Sequence, residues 1–505
     1  MQSFVPMLLL PVGLWGIAAS ALSIPQDYQN HWQGNAIRDP YQAMLEALSI
    51  MQLQYFNGST WPSAIDWTRA VINTQLSAAD SAIAWSNESP TSLDDHYFSQ
   101  VKAFYNGENY VAVQGEAYDD MQWVILEWLE AIKFVNLYTA LDPRSSTAAK
   151  DPQSIANFAH RANQFWDLAS VGYDTTLCGG GMLWNPRLTP YKNAITNELY
   201  VSSSIGMYLY FPGDSMVNPP VKAHDPKFLN AAVNEHKWLS TSNMTNAQGL
   251  YVDGFHISGW TSPSNIGSGK CDRRDESVYT YNQGVLLSGL RGLWEATGTT
   301  AYLYEGHALI RSAIAATGWP AIRGGSWAGL GSNGILQDTC DATQTCSQDS
   351  QTFKGIFFHH LAIFCEPLAI GQKEGVAYKA SPGFASQNAV TCAAYTDWIR
   401  HNAEAAYSTR NSTGDFGMYW GAAFGQAPAN HGQPANAADV RNKGVPDDKV
   451  WRRPGVPYQQ QAGMVGSAPA APATDPNNNG RGRTVETQQG GLAVLRALVQ
   501  AQWEE

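Results

Sequence analysis

The sequence predicts an all-α fold, an (α/α)6 barrel in which helical hairpins form a toroid, and three observations carry that prediction. Amphipathic segments with apolar residues every three or four positions recur about twelve times along the chain. They come in consecutive pairs joined by glycine-rich or polar connections. Strand-like alternation is scarce. A ring of about six pairs holds this many helices around one core, so one domain over 22–505 is expected rather than two.

The first candidates fall at 40–56, 63–85 and 92–106. From Asp120 to Tyr138 the apolar face is Met121, Ile125, Trp128, Ile132 and Val135, with Glu127, Glu130 and Lys133 opposite. Helices follow at 152–169, at 193–209, and at 226–239 after the Pro219-Pro220 break. The clearest hairpin pairs 281–296 with 301–316, where Gly298 is placed to end one helix and the adjacent threonines to cap the next. Further helices are expected at 350–370, 393–409 and 485–501. The Pro/Gly/Ala/Asn-rich stretch at 425–483 reads as a long loop that returns the chain to a closing helix.

Composition narrows the function. The 505 residues include 31 Lys+Arg and 43 Asp+Glu, a formal net charge of −12, with 15% charged and 11% aromatic residues, 18 of them Trp and 23 Tyr. An acidic chain offers no electrostatic footprint for a phosphate backbone, which argues against nucleic acid as a partner. With 44% hydrophobic residues the chain buries a large core and is not of the disordered class. Surfaces poor in charge and rich in Trp, Tyr, Asn and Gln suit neutral, hydroxylated ligands, although most of the aromatics are expected in the core.

Residues 1–21 read as a secretory signal: Phe4 to Ala21 is apolar and Ala19-Ser20-Ala21 supplies the small-residue cleavage pattern, although no Lys or Arg precedes the run. No later stretch reaches the roughly 18 uninterrupted apolar residues of a membrane span, and the C-terminal Gln502-Trp503-Glu504-Glu505 is not a lipid-anchor signal. Export without membrane insertion is the expectation. Sequons at Asn57, Asn87, Asn243 and Asn411, and an even set of cysteines (Cys178, Cys271, Cys340, Cys346, Cys365, Cys392), agree with an oxidising route. Of the pairings open to these cysteines, Cys340–Cys346 is the first expected; none forms C-x-x-C.

Three adjacent aspartate pairs stand out. Asp94-Asp95 and Asp447-Asp448 sit in polar surroundings and read as solvated surface. Asp119-Asp120 lies between Tyr118 and the strongly apolar helix that begins with Met121 and Trp123. Capping explains it, because the helix dipole favours carboxylates at an N-terminus. A glycosidase pair explains it too. Retention by double displacement needs carboxyl groups about 5–5.5 Å apart, a separation within reach of neighbouring residues with diverging side chains. Gly329-Leu-Gly-Ser-Asn-Gly334 lacks the preceding strand of a dinucleotide loop and reads as a chance match; His359-His360 reads as packing rather than a metal site.

Five blocks then occur in order: Tyr118-Asp119-Asp120-Met121-Gln122-Trp123, Cys178-Gly-Gly-Gly-Met-Leu-Trp184, Tyr191-Lys-Asn-Ala-Ile-Thr-Asn-Glu198, Thr280-Tyr-Asn-Gln-Gly284 and Phe353-Lys-Gly-Ile-Phe357. Together, over about 40–425 and the closing helix, they resemble glycoside hydrolase family 76, the α-1,6-mannanase family. That resemblance implies the (α/α)6 barrel, no metal or organic cofactor, and catalysis with retention by Asp119 as nucleophile and Asp120 as acid/base. It also implies substrate contacts from Tyr118, Trp123, Trp184, Lys192, Asn193, Asp253, Tyr281, Asn282 and Gln283. After Asp-Asp-Met the family commonly has Gly-Trp-Trp where this chain has Gln122-Trp123-Val124. The expected protein is a secreted, monomeric endo-α-1,6-mannosidase acting on mannan or another mannose-containing glycan. Two alternatives are a transglycosylase of mannose-containing glycolipid anchors and a non-catalytic mannan-binding protein.

Overall fold

Six inner helices run in one direction and close a ring, and every one of them starts at the same end. The computed structural model describes residues 36–86, 92–141, 152–321, 325–424 and 475–503. The expected signal (1–21), Asn87, Asp447-Asp448 and most of the long loop lie outside these residues. In chain order the described helices are α1 (Pro40–Tyr55), α2 (Asp66–Ser86), α3 (Ser92–Gly107), the single turn α4 (Tyr110–Val113), α5 (Tyr118–Leu141), α6 (Pro152–Ser170), α7 (Ala194–Tyr210), α8 (Pro226–Thr241), α9 (Val285–Thr297), α10 (Ala301–Ala315), the short α11 (Thr339–Thr343), α12 (Phe353–Phe364), α13 (Pro382–Ala393), α14 (Thr396–Ser408) and α15 (Val485–Ala501). Helices α2, α5, α7, α9, α12 and α15 pack side by side in that order, and α15 closes the ring between α12 and α2. Helices α3, α6, α8 and α10 pack outside their inner neighbours, and α1 and α14 flank α15. The fold is the all-α helical toroid expected from the periodicity. Among the described residues no helix is long and apolar enough to cross a membrane.

Local chemistry sets several boundaries. Asp39, Asp225 and Ser381 cap α1, α8 and α13 by accepting a backbone N–H, each followed by proline in the first turn. Thr484 forms a capping box with Thr487 at α15. Gly298 ends α9 in the left-handed conformation, φ 71°, as its position suggested. The threonine cap expected on α10 is absent: Thr300 makes no side-chain cap, and Thr297 Oγ1 instead bonds Leu293 O and the Thr299 N–H. The 281–296 segment begins as a 3-10 turn (Tyr281–Gln283), 350–370 stops as a helix at Phe364, and α13 went unseen in the pattern. The Gly329–Gly334 match is a hairpin: β6 (Gly331–Ser332) turns through Asn333 and Gly334, both at positive φ, into β7 (Ile335–Leu336).

The core is continuous through the ring and its outer helices. Tryptophans build much of it: Trp128 lies against Phe158 at 4.8 Å and Tyr105 at 5.2 Å, and Trp398 packs on Phe357 and Phe358. Helices α7 and α9 approach closely because α9 offers glycine at the contact. A Cβ at Gly292 would stand 2.8 Å from Ile205 Cγ2, and one at Gly289 would stand 2.8 Å from Ser202 Oγ. The cysteines form three bridges, Cys178–Cys271, the expected Cys340–Cys346, and Cys365–Cys392.

The Gly292 contact makes a direct prediction. Gly292→Leu lowers stability by about 3 kcal/mol, the upper part of the range for overpacking, outweighing the ~1 kcal/mol gained in helix propensity. Urea unfolding monitored by tryptophan fluorescence reads this as a lower midpoint. An unchanged midpoint contradicts the close α7–α9 approach.

Candidate active site

The first turns of the inner helices meet at one end, and Asp119-Asp120 opens α5 there. Both aspartates are buried, 7% and 4% exposed, yet each is held. The Ala117 N–H donates to Asp120 Oδ2 at 3.1 Å, so Asp120 does act as a helix cap. The Trp184 indole N–H donates to Asp119 Oδ2 at 3.2 Å, while Trp184 O accepts the Tyr118 N–H at 2.9 Å. A neighbouring loop thus satisfies the start of α5 with its backbone and holds the first carboxylate with its side chain. The other described pair, Asp94-Asp95, starts the outer helix α3 and is not the solvated surface expected: Asp94 is fully buried, and Asp95 accepts a bond from Tyr138 near the far end of α5.

A small antiparallel sheet walls one side. Strands β1 (Tyr191–Asn193), β4 (Gly254–Ile257) and β5 (Cys271–Asp275) lie in the order β1-β4-β5, with Tyr191 opposite His256 and His256 opposite Arg273. A two-residue pair, β2 (Gly213–Asp214) and β3 (Val221–Lys222), lies elsewhere. Tyr191 Oη donates to Asp253 Oδ2 at 2.5 Å, and its ring lies 4.3 Å from that of His256. Burial pushes the Asp253 carboxyl up to about 6, opposed by the Tyr191 hydrogen bond. Behind it, Glu198 is fully buried with neither carboxyl oxygen hydrogen-bonded, and burial and then Asp253 push its carboxyl well above the usual range.

Aromatic rings complete the surroundings. Tyr281 stacks on Phe353 at 3.8 Å and lies close enough to Asp253 and Asp119 to feel both charges. Trp123 stacks on Trp67 at 5.6 Å, and the Trp67 indole donates to Asp349 at 2.7 Å. Trp184, Tyr281 and Asp253 stay half-buried, so this end meets solvent.

The expected site residues divide. Asp119, Asp120, Trp184, Asp253, Tyr281 and Asn282 come together, Asn282 lying beside Asp253. Tyr118 packs over Gly172, where a Cβ would stand 2.6 Å from its ring. Asn193 is buried at the β1–α7 junction and its carbonyl accepts from Asn197. Gln283 clamps Tyr251 through both backbone groups and reaches Tyr279 O. Lys192 is fully buried and its ammonium is taken up by loop carbonyls rather than presented to the site. Tyr191, Trp67 and Phe353 belong to the surroundings without having been singled out. Tyr191 and Phe353 open two of the recognisable blocks, the one signal that marked them; Trp67 carried none.

The model of Glycosyl hydrolase family 76 matches residues 96–449. Among curated proteins, the mannan endo-1,6-alpha-mannosidase DCW1 of Candida glabrata is 21% identical over 270 residues, 51% of this chain and 52% of that protein. The protein of the same name from Saccharomyces cerevisiae is 20% identical over 289 residues, 53% of this chain and 54% of its own. The chain therefore spans about half the length of the curated relatives it matches. Among solved structures, an inactive variant of the GH76A alpha-1,6-mannanase of Salegentibacter sp. HEL1_6, with two consecutive aspartates replaced and alpha-1,6-mannotetrose bound, has a TM-score of 0.55 at 15% identity, covering 92% of this chain and 99% of that one. Dfg5 from Chaetomium thermophilum, in complex with glucosamine, has a TM-score of 0.55 at 15% identity, covering 94% and 93%. These likenesses show the fold.

The Asp253 geometry gives a pH signature. A carboxyl raised to about 6 in the folded chain, against an ordinary value near ~4, stabilises the fold below about pH 4. It loses that contribution as the pH rises to about 6. The difference in melting temperature, wild type minus Asp253→Asn, falls across that window. A difference that stays flat contradicts the assignment.

Proposed function

The chain belongs to glycosyl hydrolase family 76, and on that footing we propose that it cleaves internal α-1,6-mannosidic linkages by double displacement. The observation that carries the reading is the buried pair at the start of α5, with one carboxylate held by the Trp184 indole and the other by the Ala117 N–H. The related alpha-1,6-mannanase was made inactive by replacing two consecutive aspartates, which supports assigning the chemistry to the same kind of pair here.

In this reading Asp119 attacks the anomeric carbon of the mannose and forms a glycosyl ester, while the protonated carboxyl of Asp120 gives its proton to the departing glycosidic oxygen. Asp120, now a carboxylate, takes a proton from an incoming hydroxyl as that oxygen attacks the anomeric carbon and releases Asp119. Water as the acceptor gives hydrolysis and a sugar hydroxyl gives transfer; the two share the intermediate. Tyr281 and Trp184 offer ring faces for the sugar, and Asp253 with Asn282 offers hydrogen bonds to its hydroxyls. We propose export on the strength of the leader-like 1–21 segment and three disulfides, which persist in oxidising compartments.

Product analysis on linear α-1,6-mannan tests the reading. Wild type yields internal cleavage or transfer, and Asp119→Asn and Asp120→Asn each lower kcat by at least about 100-fold. With methanol as acceptor the first product is the α-methyl mannoside. Inert wild type removes the mannanase reading, active variants remove the site assignment, and a β-configured product removes retention.

A further inference from the structure

We infer that Lys192, buried on β1, is a positioning residue for Asp119: its ammonium organises the 174–184 loop, whose last residue holds that carboxylate. The inference rests on the proposed glycosidase reading.

The loop is shaped as a cation cradle. Four successive residues, Cys178, Gly179, Gly180 and Gly181, adopt positive φ (58°, 70°, 150° and 88°). Carbonyls of this segment converge on one point, and Lys192 Nζ fills it. The ammonium donates to the carbonyls of Asp174 (2.7 Å), Leu177 (2.8 Å) and Gly181 (3.0 Å) and to that of Gly180, with the Asp174 carboxylate at 3.3 Å. The acceptors outnumber the three N–H bonds of an ammonium, so the bonds are shared. Taking such a charge out of water is costly unless its donors are met. An apolar chain of the same length would pack in its place, but it would leave buried carbonyls without donors. Burial pushes the neighbouring Glu235 carboxyl up to about 8, against the pull of Lys192, and pushes the Lys192 ammonium down, against the pull of the Asp174 carboxylate.

From this anchor the bonds run to the catalytic helix. The Trp238 indole donates to Cys178 O at 3.1 Å, and its ring lies where a Cβ on Gly180 or Gly181 would clash at 2.8 Å. Asn197 bonds both backbone groups of Met182, and the Leu183 N–H donates to Gly172 O. The Trp184 N–H donates to Tyr191 O, one residue before Lys192, at 2.8 Å. Trp184 then meets α5 twice, through its carbonyl and the Tyr118 N–H and through its indole and Asp119. Loss of the ammonium loosens the cradle and lets the indole drift from Asp119, while Tyr281, Asp253 and Asn282, held by Phe353 and Tyr191 rather than by the cradle, stay in place.

Lys192→Met and Trp184→Phe, singly and combined, test this in the full chain. Each single variant lowers kcat on α-1,6-mannan by roughly 10–100-fold with KM changed far less, and the double variant falls no further than the worse single one. In Lys192→Met without substrate, amides of 174–184 exchange faster and the Trp184 indole N–H resonance shifts. Full multiplication of the two losses, or an unmoved indole resonance, overturns the inference. If Lys192→Met does not fold, Asp174→Asn serves; faster loop exchange with wild-type kcat overturns it equally. An inert wild type removes the glycosidase reading alone, because the exchange and resonance measurements still decide whether Lys192 sets Trp184.

Discussion

Everything at the functional end follows from the convergence of six helix starts. The first turn of an α-helix leaves backbone N–H groups without intrahelical acceptors and carries the positive end of the helix dipole. Gathering several in one place demands oxygen acceptors, and the chain supplies them from side chains and loops. Asp120 serves α5, Thr484 serves α15, and Asp338 accepts both the N–H and hydroxyl of Thr280 just before α9. Glu486, in the first turn of α15, is met by Thr68 and Gln348. A place that requires acidic and carbonyl oxygens for structural reasons can hold a catalytic carboxylate pair without unusual cost.

The opposite end brings cations and carboxylates together. There the inner helices finish, their last carbonyls lack donors, and cations gather. Arg291 donates to the carbonyls of Phe364, Glu366 and Pro367 as α12 ends, and pairs with Glu295 in the last turn of α9. Lys133 pairs with Glu130, and Arg496 reaches His359 and Gln500. Burial, then Arg496 and Lys133, push His360 down to about 3, which keeps it neutral beside these charges. The His359-His360 pair is thus a packing feature of the far end, as the sequence suggested. At this far end Lys133, Arg291 and Arg496 are matched by Glu130, Glu295 and Glu366, whereas Asp119-Asp120 stands at the end with the helix starts.

The parts of this organisation that were legible from sequence are those with local causes. Apolar residues at three-to-four-residue spacing marked the inner helices even though each buries nearly its whole surface, Glu127 and Glu130 on α5 included, and Gly298 marked a helix end. Strands β1, β4 and β5 escaped notice because three to five residues are too few for alternation to register. Helix α13 was hidden because only Ala385, Asn388 and Cys392 on it are buried. Lys192 was readable as a block residue but not as a cradle-filler, since its partners at Asp174, Leu177, Gly180 and Gly181 are joined to it only by the fold. Trp67 meets Trp123 only because α2 and α5 are ring neighbours.

Capping and catalysis, which compete as explanations of Asp119-Asp120 in the sequence, are compatible in the structure. Adjacent α-carbons lie only about 3.8 Å apart, so two carboxylates left to themselves would share one environment. Here they do not. Asp120 is fixed by the backbone of its own helix start, through Ala117, whereas Asp119 is fixed from outside, by a tryptophan on a loop anchored elsewhere. One anchor is intrinsic to α5 and the other reaches it through the sheet and the Lys192 cradle. Two anchors of independent origin can set two neighbouring carboxyl groups at a defined separation and in different hydrogen-bonding states, and a two-step displacement needs that asymmetry. The cap is therefore no rival to the proposed chemistry: it supplies one of the two anchors of the pair.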